Sequence, residues 1–296
     1  DNDTTNADAQ NVTGDQVLEE HQSFYMDDPE TDLAERGQLQ MTVAIHRHSG
    51  TTTTGALDAV GDGLDTVAMG NASFRGRAQI TTYYYDDFQR PIATVNIGTN
   101  DGTTFTRSNG DAVPSRSDTR LVTSTVYFGN RAVESTTDPK GLVTRYEYDH
   151  AFRRTKTINN YVDGTPSGDT DQTILYAYTN GLMTSQTADL SGTDQVTTYS
   201  YSSGGLSSDL FSNRLLRQVT YPDGAGSGST TVLYGYNRLG QQKSMQDQSG
   251  NVINTEFDGL GRETKRIAAT VVSGFDARVR RIETAYLSRG LPSTVT

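Results

Sequence analysis

The chain has 296 residues, with 36 acidic against 25 basic side chains and a net charge of −11. That balance argues against a nucleic-acid partner, since phosphate binding needs a basic face that displaces counterions. Hydrophobic residues, at 33%, are too few for a large aliphatic core, and 16 tyrosines without any tryptophan lead us to expect a core built largely from phenol rings. The absence of cysteine removes a disulfide framework, a thiolate metal site and a cysteine nucleophile.

Residues 1–40 carry 11 acidic side chains and a single basic one, Arg36, so nearly all of the net charge sits there. The first 16 residues hold almost no large apolar side chain and cannot offset the entropy of ordering, so this acidic segment is expected to be largely irregular. Within it, VLEEHQSF (17–24) and ETDLAERGQL (30–39) are each expected to add a short helical turn. No run of 18 apolar residues occurs, so no membrane span is expected. The chain opens without methionine or a secretory pattern and closes without a terminal motif, and it is expected to be a piece of a longer protein.

Residues 41–80 form a lead-in. QMTVAIHRHSG (40–50) reads as a strand, because Met41, Val43 and Ile45 alternate with Thr42, Ala44 and His46, and it is expected to pair with the array of residues 81–296. GALDAVGDGLDTVAMGNASF (55–74) is punctuated by glycine and reads either as a loop excursion or as a degenerate hairpin.

Residues 81–296 are repetitive. An aromatic residue followed by a polar turn recurs at Tyr85, Tyr127, Tyr148, Tyr178, Tyr201, Tyr236, Phe257 and Tyr286. The spacings are 42, 21, 30, 23, 35, 21 and 29, and the longer ones carry Gly, Ser, Thr and Asp insertions such as VDGTPSGDTDQ. A core unit of two strands and two turns with loops added to it explains them. Five copies place a second tyrosine two residues earlier, at Tyr83, Tyr146, Tyr176, Tyr199 and Tyr234, which puts both rings on one face of a strand. In FDGLGR (257–262), Asp258 can cap a tight turn and Gly261 can supply positive φ. Each repeat is thus one β-hairpin, and since a lone hairpin is marginal in water the hairpins must stack in series.

These residues carry a resemblance. An aromatic-Asp-x-x-Gly-Arg run with a following DPxG-type linker resembles the YD repeat of the Rhs family, which includes the C components of insecticidal toxin complexes and the teneurins. The likeness covers roughly residues 77–296, with drift at Gln89 and Phe152 in place of Gly, Asn237 in place of Asp and Gln241 in place of Arg. It implies an all-β fold of serial antiparallel hairpins forming a curved or spiralling sheet, a shell section or a rod, and in the family such a shell can enclose a polypeptide. The eight aromatics are then structural anchors, since a catalytic set would not recur with substitutions. DPKGL (138–142) matches the family's self-cleavage sequence, but it lies between repeats and reads as a linker turn.

Little chemistry stands out. His46 and His48 have zinc-pair spacing without a motif joining them to His21 or His150. Asp58, Asp62 and Asp65, like Asp163, Asp169 and Asp171, resemble acidic calcium loops without following a calcium pattern, and solvated turns are expected. No catalytic residue, binding residue, metal or cofactor is assigned. The expected role is a non-catalytic scaffold, a shell wall or an extracellular fibre, at the cell surface or outside the cell. Its partners would be other copies or further repeats, or an encapsulated polypeptide. The alternatives are a glycan-binding adhesin module and a carrier whose toxin effector is absent.

Overall fold

The computed structural model describes residues 18–25, 37–47, 57, 66–67, 76–100, 105–108, 110–129, 131–222, 230–270 and 280–296. Every regular element among them is a strand. The chain divides into two compact units, Asp1–Arg145 and Tyr146–Thr296.

The first unit holds β1 (Glu19–Tyr25), β2 (Leu39–Arg47), β3 (Thr66–Val67), β4 (Gly76–Tyr85), β5 (Pro91–Gly98), β6 (Phe105–Thr106), β7 (Leu121–Tyr127), β8 (Val133–Thr137) and the start of β9 (Val143–Tyr148). β1, β2, β4, β5, β7, β8 and β9 pair antiparallel in that order, and β3 pairs with β6. One face of this ladder is dry. Met41, Val43, Ile45, Ala78, Ile80, Val95, Ile97 and Val122 are buried together with Leu57, and Phe24, Phe105 and Val113 pack against them.

This core corrects the expectation of phenol rings. Only Tyr84, the ring between Tyr83 and Tyr85, is buried in it, whereas Tyr83 and Tyr85 are half-buried. The alternation that sends Ala78, Ile80, Thr82 and Tyr84 inward sends the flanking tyrosines to the opposite face, where their hydroxyls reach polar partners. Arg107, 2% exposed, closes the inner face. Its guanidinium lies 4.1 Å from the Tyr84 ring and donates to the Tyr83 carbonyl at 2.7 Å.

The segment at 17–24 is likewise corrected, because Glu19–Tyr25 is a strand and not a helical turn. Glu20, Gln22 and Phe24 face inward in alternation, and the ladder to β2 supplies hydrogen bonds that a short isolated helix cannot match. Most of the second expected turn, 30–39, and most of 55–74 lie outside the described residues.

The second unit continues with β10 (Arg154–Asn159), β11 (Gln172–Thr179), β12 (Leu182–Asp189), β13 (Gln195–Ser200), β14 (Gln218–Tyr221), β15 (Thr230–Tyr236), β16 (Gln242–Gln246), β17 (Val252–Phe257), β18 (Glu263–Thr270), β19 (Arg281–Tyr286) and β20 (Pro292–Val295). From β10 onward each strand pairs antiparallel with the next. Its buried apolar residues among those described are Ile158, Val219 and Val232, so stability here depends more on local links between hairpins.

Candidate functional site

The chain repeats one arrangement at its hairpin turns. In 86–90, 149–153 and 258–262 the first residue is Asp and the fifth is Arg. Asp258 Oδ1 accepts the backbone N–H groups of Leu260 at 2.9 Å and Arg262 at 3.0 Å, while Oδ2 accepts Arg262 Nε at 2.7 Å. Asp86 and Arg90, and Asp149 and Arg153, reproduce these contacts, and in all three a second guanidinium nitrogen lies 2.6 Å from the carboxylate. A short acid thus caps its own turn and holds a forked cation.

The contacts lower the carboxyl pKa values. For Asp149 the Arg153 side chain is the largest cause, and for Asp258 the Arg262 backbone N–H. For Asp86 burial pushes the pKa upward, and the hydrogen bonds from Arg90 and Phe88 outweigh it.

The fourth turn residue is left-handed in each: φ is 61° at Gln89, 59° at Phe152 and 78° at Gly261. The Asp258 N–H donates to Arg262 O at 2.9 Å and the Gly261 N–H to Asp258 O at 2.9 Å. This is a type I turn followed by a left-handed residue, and the ladder shifts register just before Tyr85, Tyr127, Phe257 and Tyr286. Tyr178 also follows a shift, but its turn is the two-residue pair Asn180 and Gly181, with φ 52° and 83°.

Each arginine then reaches the next aromatic anchor. Arg90 lies 4.5 Å from the Tyr127 ring centre, Arg153 4.7 Å from Tyr178 and Arg262 4.4 Å from Tyr286. The hydroxyls of those rings donate to the carbonyl just after each arginine: Tyr127 to Pro91 at 2.9 Å, Tyr178 to Arg154 at 2.9 Å and Tyr286 to Glu263 at 2.8 Å. Tyr85 donates likewise to Leu39 O at 2.9 Å, and Tyr236 to Leu216 O at 2.6 Å.

The remaining anchors differ. Tyr148 ends β9. Phe257 ends β17 and has no hydroxyl to donate, and the turn facing it has Asn237 and Gln241 in place of Asp and Arg. Gln241 Nε2 donates instead to Gly261 O at 2.7 Å. Tyr201 lies beyond the end of β13, where the chain leaves the sheet until β14. Gly204 and Gly205, both at positive φ, begin that excursion, and Leu206 N–H donates to Tyr234 O at 3.0 Å.

The candidate chemical groups are engaged elsewhere. Asp171 is 1% exposed and its carboxylate accepts the N–H groups of Val162, Asp163 and Gly164. Burial raises its pKa, and these bonds lower it more. Asp163 accepts from its own turn at Thr165, and Asp138 accepts the Leu142 N–H in a closed linker turn. His21 Nε2 is 2.7 Å from Glu19 Oε1 and His46 Nδ1 is 3.8 Å from the same oxygen, all on an open surface. Among the described residues no group of three or more His, Asp or Glu side chains is placed to hold a metal. Nor is any helix among them long and apolar enough to cross a membrane. His48, Asp58, Asp62 and Asp65 lie outside the described residues.

The stretch 129–166 contains the linker turn at 138–142, β8 to β10 and the Asp149 and Arg153 turn, and it matches the RHS Repeat family model. Over those residues the chain is similar to an Rhs repeat. Among solved structures, the TcdB2-TccC3 structure without its hypervariable C-terminal region is 12% identical, with a TM-score of 0.36, covering 86% of this chain and 15% of that one. The Photorhabdus luminescens Tc holotoxin pore is 13% identical with a TM-score of 0.35, covering 88% of this chain and 15% of that one. A porin-like protein from Bacteroides uniformis is 13% identical with a TM-score of 0.22, covering 86% of this chain and 91% of that one. The chain therefore spans about 15% of the length of the toxin structures it matches. Comparison with curated proteins finds no match.

Two features escape a reading of the repeats by motif alone. The arginine closing one turn serves the next anchor, which only the strand register reveals. Tyr25 also follows a register shift at the end of a strand, and the aspartates at 27 and 28 are the signal of this in the sequence.

Proposed function

We propose that the chain is a non-catalytic β scaffold, a section of shell wall or extracellular fibre in a longer secreted or cell-surface protein. The observation that carries this reading is the link from turn carboxylate to arginine to the next ring, made three times with closely matching distances. Groups spent on joining one hairpin to the next are not held ready for a substrate. Further Rhs repeats, or a polypeptide held inside such a wall, are the partners this role requires. Electron microscopy of the purified longer protein tests it: hollow shells or fibres walled by hairpin sheet are expected, and particles without such walls would overturn it.

A second reading, glycan binding, is favoured by one groove of about 640 Å³ lined by Tyr199, Tyr201, Asn180, Asn213 and Arg214. Phenol faces beside amide and guanidinium donors suit a sugar ring. A glycan array without signal for the chain would remove it.

A further inference from the structure

In the second unit every strand pairs antiparallel with the next, so alternate connections lie along the same rim of the sheet. Residues 149–153, 180–181, 201–217, 237–241 and 258–262 share one rim. Of the opposite rim, 160–171, 190–194 and 247–251 are described in full. The first rim holds apolar side chains out into solvent: Phe152 is 60% exposed, Phe211 86%, Leu239 74% and Leu260 78%. Leu239 and Leu260 each take the third position of a capped turn, their N–H groups donating to Asn237 Oδ1 and Asp258 Oδ1. These turns are two strands apart, which spaces the leucines by roughly 10 Å.

The two rims differ in charge. The first has five arginines and three aspartates, and each aspartate is answered: Asp149 by Arg153, Asp258 by Arg262 and Asp209 by Lys243 at 2.6 Å. Arg217 donates to Gly204 O and Leu206 O. Arg214 and Arg238 are left exposed, with no side-chain partner among the described residues. Arg214 is also the one charged group lining the groove of about 640 Å³ on this rim. The three connections of the opposite rim hold five aspartates and no lysine or arginine. Val162 and Leu190 are exposed there too, but beside Asp163 and Asp194.

We propose that the first rim docks on a membrane surface containing anionic phospholipid, with Phe152, Phe211, Leu239 and Leu260 entering the boundary between headgroups and acyl chains while Arg214 and Arg238 meet lipid phosphates. Leucines roughly 10 Å apart stand singly, so a fluid boundary that closes around each tip covers them better than a flat protein face does. The unanswered guanidinium groups select a negative headgroup. The aspartates of the opposite rim do not cancel that attraction. They lie a strand away, six residues in β17 or ~20 Å, whereas charges act over ~8 Å at physiological ionic strength. They keep their own rim off an anionic surface, so the strands stand upright on it. This inference goes beyond the scaffold reading, which holds whichever way the test falls.

Co-sedimentation of the 296-residue chain with vesicles tests it, with circular dichroism checking that each variant keeps its β signal. The wild-type chain is expected to pellet with vesicles of phosphatidylcholine and phosphatidylglycerol, to stay in solution with phosphatidylcholine alone, and to be released by added salt. Leu239→Ser combined with Leu260→Ser is expected to weaken vesicle binding about tenfold or more, as is Arg214→Glu combined with Arg238→Glu. Val162→Ser combined with Leu190→Ser, on the opposite rim, is expected to bind as wild type does. A folded wild-type chain that ignores anionic vesicles overturns the proposal, and so do first-rim variants that bind undiminished. An equal loss in the opposite-rim variant overturns it too. Self-association that the leucine variant abolishes, without any vesicle binding, would overturn it in favour of a second copy of the chain on this rim.

Discussion

Arg262 lies 4.4 Å from the centre of the Tyr286 ring, while the Tyr286 hydroxyl donates to Glu263, the residue after that arginine. One ring is therefore held at its face and at its edge by the turn before it. The two contacts are separable. Arg262→Ala combined with Tyr286→Leu in a double-mutant cycle should show coupling of about 0.5–1 kcal/mol in thermal or denaturant unfolding, the range for a partly exposed cation over a ring.

Removing only the Tyr286 hydroxyl, by Tyr286→Phe, should cost about 0.5–1.5 kcal/mol, the usual net value of one hydrogen bond. Denaturant titration would check this, and a midpoint equal to wild type would show that water serves Glu263 as well as the phenol does.

Phe152 occupies a left-handed position with φ 59° and is 60% exposed, so it gives little packing in return for its strain. Phe152→Gly should raise stability by about 0.5–1 kcal/mol, since the left-handed penalty of ~1–2 kcal/mol exceeds the extra chain entropy of glycine. The reverse change, Gly261→Ala, should lower it, because φ there is 78° and a Cβ would meet Gln241 Nε2 at 3.1 Å. Paired melting curves of the two variants test both signs.

The turn acids set the acid limit. Asp86, Asp149, Asp247 and Asp258 all have folded pKa values below the ordinary aspartate value of 3.8. A depressed carboxylate contributes stability that is fully present above its unfolded pKa and is lost as pH falls through the folded value. Unfolding midpoints should thus be flat at neutral pH and fall below about pH 4. Asp258→Asn should lower the neutral-pH midpoint and shrink that acid-dependent loss.

At the alkaline end burial pushes the Tyr199, Tyr234 and Tyr236 phenols upward, with neighbouring phenols such as Tyr221 adding to it for Tyr199 and Tyr234. A raised phenol pKa contributes stability that is present below about pH 10 and is lost above it. Phenolate absorbance should therefore show a late-titrating group of tyrosines that merges with the rest on unfolding.

Much of this was legible in the residues. The hairpin period, the aspartate caps and the glycine at Gly261 follow from local chemistry, and a spacing of 21 residues leaves room for little besides two strands and two turns. Tyr83 and Tyr85 mark the limit. Their alternation is plain, but which face becomes dry depends on Met41, Val43 and Ile45 across the ladder and on Arg107 folding back over Tyr84. Glu19–Tyr25 misleads for a related reason: its helical composition yields to pairing with β2. Tyr201 has an anchor's sequence, yet the glycine pair after it sends the chain away from the sheet. The arginine's second partner lies 24 to 37 residues downstream in a variable gap, so no fixed spacing announces it.

The drift at Gln241 and Phe257 has a consequence for how such a sheet is held. A turn and the ring that answers it belong to different hairpins, and the ring always comes later in the chain. A finished turn therefore has its guanidinium held by its own carboxylate alone until the following strand is in place. Where Gln241 faces Phe257 neither the guanidinium nor the phenol hydroxyl is present, so that junction is held by the Gln241 bond to the Gly261 carbonyl in place of the paired link.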